Sequence, residues 1–195
     1  MRIIAGQHRG LALASVGRGD QGAHLRPTPD RVREALFSIL QGHGLPQGAR
    51  VLDLFAGTGA LGLEALSRGA VHATFVDNGR VAQRLIAENL AKARRQADAT
   101  VLACAADKLP PAVHPVDLVF MDPPYGKGLA DSLPALLQSR GWLAPNAVII
   151  CEENSPQPAP PGFVLLGQRR YGDTHLSLMA PATPPATPPG AATPV

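Results

Sequence analysis

A short apolar run ending in a carboxylate, two glycines one residue apart, and an Ala/Leu-rich stretch follow one another in Val51-Leu52-Asp53-Leu54-Phe55-Ala56-Gly57-Thr58-Gly59-Ala60-Leu61-Gly62. This order specifies a strand, a tight turn and a helix start. Gly57 and Gly59 carry no Cβ that would hold a ligand off the backbone, and both accept positive φ, so the turn can cup a small molecule against a helix N-terminus. The loop residues Asp53, Phe55, Ala56, Gly57, Thr58 and Gly59 are therefore candidates for a ligand-binding turn.

The spacing Gly57-x-Gly59-x-x-Gly62, with Asp77 some twenty residues on, also satisfies the dinucleotide fingerprint. Asp53 argues against that ligand, because a pyrophosphate is repelled by a carboxylate at the strand end. A ligand bearing an ammonium group is attracted instead. S-adenosylmethionine has an ammonium, a sulfonium and a ribose diol, and Asp53 and Asp77 suit the first and the last of these. A second motif, Asp122-Pro123-Pro124-Tyr125, follows the apolar run 116–121. Two prolines fix φ and donate no hydrogen bond, so the turn is stiff and its carbonyls stay free to accept. An acceptor-lined turn beside an aromatic ring fits a flat base with an exocyclic NH2.

A chain of 195 residues, 45% of them hydrophobic, holds one compact domain with a full core. It shows no apolar run of membrane-spanning length and no signal-peptide core after Met1, so a cytoplasmic protein with no membrane partner is expected. Cys104 and Cys151 read as buried free thiols, and the six histidines lack ligand spacing, so no metal is expected. Residues 1–34 hold six arginines against three carboxylates and account for the entire formal net charge of +3. Such an excess beside a base-sized pocket points to a phosphate backbone as partner.

Along the chain, residues 2–14 read as a short hairpin or extended arm and 15–25 as a glycine-rich loop. Thr28 as N-cap, Pro29 at the first helical position and Asp30 in the first turn begin a helix that reaches about Gln41. Val32, Ala35, Leu36, Ile39 and Leu40 form its apolar stripe, leaving Arg31 and Arg33 outward. Strands at 50–54, 73–76, 99–103, 116–121 and 147–151 alternate with helices at 60–68, 81–96 and 129–140, the pattern of a parallel sheet covered on both faces. Two consecutive strands, 163–166 and 175–179, predict an antiparallel hairpin at the sheet edge. The Pro/Ala/Thr run from Pro181 predicts a disordered tail. The expected organisation is a basic arm or hairpin (1–25), a Rossmann-like α/β domain (26–180) and the tail (181–195). Asp53, Asp77, Asp107 and Asp122 all fall at the carboxyl ends of strands, the ligand-binding edge of such a sheet.

The run Arg2-Ile3-Ile4-Ala5-Gly6 with Arg9-Gly10, the run Arg26-Pro27-Thr28 and 30–37, the glycine loop, the Asp-Pro-Pro-Tyr turn and Tyr171-Gly172-Asp173-Thr174 together resemble the RsmD family, bacterial class I methyltransferases of guanine N2 in 16S ribosomal RNA. The resemblance implies that Asp53, Gly57 and Gly59 hold the methionyl part of S-adenosylmethionine, that Asp77 takes the ribose hydroxyls, and that Asn78 and Asp107 approach the adenine. It further implies that Asp122, Pro123, Pro124 and Tyr125 hold the target base. On this reading Arg2, Arg9, Arg26, Arg31, Arg33 and Tyr171 are the RNA contacts, 16S ribosomal RNA or the 30S subunit is the partner, and the protein is a monomer. Three other readings stay open at this level. A methyltransferase of adenine N6 or of a protein glutamine shares the tetrapeptide. A nucleotide-dependent dehydrogenase fits the glycines, and a non-catalytic RNA-binding assembly factor fits the basic arm.

Overall fold

A computed structural model describes residues 1–16, 29–123 and 128–182. One seven-stranded sheet organises them, in the order β3-β2-β1-β4-β5-β7-β6. The strands are β1 (Arg50–Leu54), β2 (His72–Val76), β3 (Ala99–Leu102), β4 (Val116–Met121), β5 (Leu143–Glu153), β6 (Phe163–Tyr171) and β7 (Thr174–Pro181). The first five are mutually parallel; β7 lies antiparallel between β5 and β6. Strand order reverses between β1 and β4, and the carboxyl ends of these two strands are in register, Leu54 beside Met121. The expected Rossmann-like sheet with a C-terminal antiparallel hairpin at its edge is the architecture observed.

Helices α1 (Asp30–Gly42), α2 (Ala60–Ser67) and α3 (Arg80–Ala93) share one face, where Leu36, Phe37, Leu63, Ile86 and Leu90 pack on Val51, Phe75 and Phe120. Helix α4 (Leu129–Ser139) covers the other, with Leu133 and Leu137 against Leu52, Val119 and Ile149. Burial on both faces explains why β1, β2 and β4 are nearly continuous apolar runs rather than alternating ones.

Several boundaries differ from the sequence expectation. Arg94 ends α3 in a left-handed conformation (φ 54°), so the helix stops three residues before Gln96. Strands β6 and β7 and the C-terminal end of β5 run beyond their apolar segments because the antiparallel ladder supplies backbone partners to polar residues as well, while the other end of β5 is extended by parallel pairing of Leu143 with Val116. That ladder includes Pro181, and Ala182 donates its N–H to the Gly162 carbonyl (2.8 Å), so the ordered chain runs beyond the expected start of the tail. The expected Thr28 cap lies outside the described residues, and the described N-cap is Pro29.

Arg33 is a further correction. Expected to point outward with Arg31, it is fully buried. The true stripe of α1 is rotated by one position: Arg33, Leu36, Phe37 and Leu40 follow i, i+3, i+4, i+7, and Phe37 replaces Ile39 as the fully covered residue. The Arg33 guanidinium donates to the Arg2 carbonyl (2.6 Å) and to Asp30 Oδ1 (2.8 Å), so it faces protein rather than phosphate.

The first fourteen residues form a tight hairpin, with Arg2 bridged to Ala12 and the Leu13 N–H donating to the Met1 carbonyl (3.1 Å). It is packed on the domain rather than projecting from it, since Ile3 and Leu13 are buried in the main core.

Candidate active site

The turn after β1 is built by backbone conformations that few residues accept. Phe55 adopts a left-handed φ of 59°, a strain of about 1–3 kcal/mol for a non-glycine. The chain then turns through Gly57 (φ 56°) and Gly59 (φ 76°), the latter being the N-cap of α2. Two acids brace this turn. Asp77 accepts the Gly57 N–H at Oδ2 (2.9 Å) and the Gly79 N–H at Oδ1 (2.8 Å), tying the end of β2 to the loop. Asp53 accepts the Gly62 N–H at Oδ2 (2.9 Å), tying the end of β1 to the first turn of α2.

Asp53 is 2% exposed and its carboxyl is pushed up to about 8. Burial is the chief cause, the charges of Asp122 and Asp77 add to it, and the Gly62 N–H opposes them. Asp77 and Asp122 therefore both lie within electrostatic reach of Asp53 near the switch point of the sheet. Neither Asp53 nor Asp77 has a cationic partner among the described residues. Asp53 and Asp77, acids at one strand-end rim with no such partner, fit a cationic ligand, whose charge favours ionised Asp53, and disfavour a pyrophosphate. The donor set thus fits S-adenosylmethionine and not a dinucleotide.

The third glycine of the fingerprint serves packing. A Cβ on Gly62 would overlap the edge of the Phe75 ring and stand 3.1 Å from Asp53 Oδ2. Gly62 is required by helix-sheet packing, not by a phosphate.

Other candidates spread along the same rim. Asn78 is exposed in the turn after β2, and Asp107 is exposed in a single 3-10 turn after the edge strand β3, with Lys108 Nζ 3.9 Å away. Ala56 and Thr58 are buried in the loop and Phe55 is half-buried. Asp122 is half-buried and Pro123 buried directly after β4. Pro124, Tyr125 and Arg26 lie outside the described residues. Of the arginines, Arg2, Arg9 and Arg31 are exposed, Arg2 with its guanidinium 3.8 Å from Asp30. Tyr171 ends β6 half-buried against the main core.

Three polar residues that sequence reasoning passed over hold the hairpin on the site. Buried Glu64 accepts the Ile4 N–H (2.7 Å) and the Ala5 N–H (3.0 Å) while pairing with Arg68 Nε (2.7 Å). Ser67 Oγ accepts the His8 N–H (2.9 Å) and donates to the Ala5 carbonyl (2.6 Å). Buried Asn89 bonds both Ala14 and Thr58. Each was detectable as a polar residue on an apolar face: Glu64 and Ser67 in the buried run 62–67 of α2, Asn89 on the stripe of Ala82, Leu85, Ile86 and Ala93.

A family model described as Conserved hypothetical protein 95 matches residues 1–180. Ribosomal RNA small subunit methyltransferase D of Escherichia coli strain K12 is 40% identical over 181 residues, covering 91% of this chain and 88% of that protein. The protein of the same name from Haemophilus influenzae is 36% identical over 178 residues, covering 88% and 89%. Among solved structures, Escherichia coli YhhF superposes with a TM-score of 0.80 at 37% identity, covering 93% of this chain and 97% of that one.

Proposed function

Because the chain belongs to the RsmD family, we propose that it transfers a methyl group from S-adenosylmethionine to the exocyclic N2 amine of a guanine in 16S ribosomal RNA, on an assembled or partly assembled small subunit. The observation that carries this reading is the electrostatic grouping of Asp77 and Asp122 around buried Asp53 at the carboxyl ends of adjoining strands, beside the glycine turn. When bound, S-adenosylmethionine supplies a methyl group already activated by its sulfonium.

The residues of the chain then have to bind, align and exclude water. Asp53 holds the ammonium, Asp77 the ribose hydroxyls, and Asn78 and Asp107 the adenine, with the backbone of 55–59 lining the cleft. Guanine N2 is a poor nucleophile because its lone pair is delocalised into the ring. Asp122 and the Pro123 carbonyl accept its two N–H bonds, which gives the nitrogen sp3 character and frees the lone pair. Asp122 also receives the departing proton. Pro124 stiffens the turn and Tyr125 stacks on the base once it has left the RNA stack. Arg2, Arg9, Arg26 and Arg31 neutralise phosphates, and Tyr171 adds a contact.

Asp122→Ala separates binding from chemistry. Calorimetric affinity for S-adenosylmethionine is expected to stay within about threefold of wild type, while methyl transfer falls by roughly a hundredfold or more. Loss of cofactor affinity instead would remove Asp122 from the base-binding role.

A further inference from the structure

Glu152 lies at the carboxyl end of β5, one strand along the rim from Asp122, and is only 8% exposed. The register of β4 and β5 sets Phe120 beside Ile150 and Met121 beside Cys151, so the next residues, Asp122 and Glu152, stand side by side. Alternation fixes the face they share. Leu118 and Phe120 on β4, with Val148 and Ile150 on β5, belong to the core beneath α1, α2 and α3, while Val119, Met121, Ile149 and Cys151 belong to the core beneath α4. One residue further on each strand, Asp122 and Glu152 return to the first face, which is also the face of Asp53, two residues after Val51 in β1. The charges agree with this placement, since Asp122 acts on Asp53 and both Asp122 and Glu152 act on the Cys151 thiol. Strand β5 lies between β4 and β7, and Glu152 pairs with Leu176 of β7, so its backbone is held by the sheet rather than by a loop.

Ionised carboxylates only accept hydrogen bonds, and each offers about four lone-pair directions. Neighbouring strands run about 4.8 Å apart, so carboxylates side by side on two of them can converge on adjoining groups of one base edge. On guanine, the N2 amine placed at Asp122 adjoins N1–H, a second donor on the same edge. On adenine and cytosine the exocyclic amine adjoins a ring nitrogen with a lone pair, which a carboxylate repels. We infer that Glu152 is a specificity-determining residue that accepts the guanine N1–H beside the N2 amine held at Asp122, so that the site takes guanine and rejects bases whose amine adjoins a bare ring nitrogen. The inference rests on the proposed function and assigns the origin of its selectivity.

The test begins by mapping, with wild type, the methylated guanine in 30S subunits from a strain lacking the gene. In subunits reconstituted with ligated 16S ribosomal RNA, that nucleotide is then replaced by 2-aminopurine, which keeps the 2-amine but has no proton on N1. Wild type is expected to prefer guanine by about thirtyfold or more in kcat/KM. The Glu152→Gln amide can donate to a bare N1 as well as accept from N1–H, so the preference is expected to fall by about tenfold or more. Affinity for S-adenosylhomocysteine is expected to stay within about threefold of wild type. Because 2-aminopurine also lacks O6, the change in preference between the two proteins reads the N1 contact. A residue that only supports the fold would slow both substrates alike and leave the preference unchanged. Should Glu152→Gln fail to fold, Glu152→Asp decides: it keeps the charge but draws it back from the base, and the preference is expected to fall by about tenfold. An unchanged preference in the folded variant, no preference in wild type, or loss of cofactor affinity in Glu152→Gln overturns the inference alone. If wild type makes no N2-methylguanosine in unaltered subunits, the proposed function falls and the inference with it.

Discussion

At the scale of single residues, ionised Asp53 has a cost in the free protein that a bound cation relieves. A carboxyl held near 8 by burial and by two neighbouring acids keeps its proton at neutral pH, whereas in the unfolded chain it loses that proton near 3.8. Its contribution to stability is therefore fully present below pH 3.8 and is lost as pH rises through 8. Asp53→Asn keeps an acceptor for the Gly62 N–H but never ionises. The ligand-free variant is expected to melt about 5 °C above wild type at pH 8, with the gap narrowing toward pH 5, as followed by thermal unfolding. The same variant is expected to lose cofactor affinity. In wild type an arriving ammonium favours the ionised carboxylate, so affinity for S-adenosylmethionine is expected to climb between pH 6 and pH 8, with protons released on binding. A pH-independent affinity would place the ammonium elsewhere.

At the scale of elements, the site depends on how α2 is clamped between the cofactor loop and the N-terminal hairpin. Glu64 is completely buried and serves two backbone N–H groups and Arg68 at once. Glu64→Ala strands those donors, and Arg68 already has a buried Nη2 without a partner. The expected cost is about 3 kcal/mol, or roughly 6–12 °C in melting temperature, with Glu64→Gln clearly milder. An unchanged melting temperature in Glu64→Ala would show that Glu64 does not hold the hairpin, leaving Ser67, Asn89 and the buried Ile3 and Leu13 to do so.

The elements also show where sequence reading succeeds and where it stops. The βα alternation was legible because both faces of the sheet are covered and the strands are uniformly apolar. The strand-end acids were legible because the parallel topology sends every strand's carboxyl end to one rim. Arg33 was misread because a charged side chain on the buried stripe of α1 shifts the apparent apolar period by one residue. Gly62 looked like part of a ligand motif, yet the need it meets comes from Phe75, more than ten residues later in the chain. Asn89 and Glu64 were visible only as polar breaks in apolar faces. Their partners, Ala14 and Thr58 or Ile4 and Ala5, come from long-range pairings that no local pattern encodes.

At the scale of the whole molecule, charge is divided by function. The rim at the switch point carries acids suited to a cationic donor, while the excess of arginines lies in residues 1–34, which start from the hairpin packed on α2 and α3. Among the described residues no helix is long and apolar enough to cross a membrane. The most direct measurement incubates the protein with labelled S-adenosylmethionine and 30S subunits or 16S ribosomal RNA from a strain lacking the gene, then digests the RNA and identifies the labelled nucleoside by mass and chromatography. N2-methylguanosine is the predicted product, absent with Asp122→Ala. Label in N6-methyladenosine, in protein, or in no nucleoside at all would contradict the account.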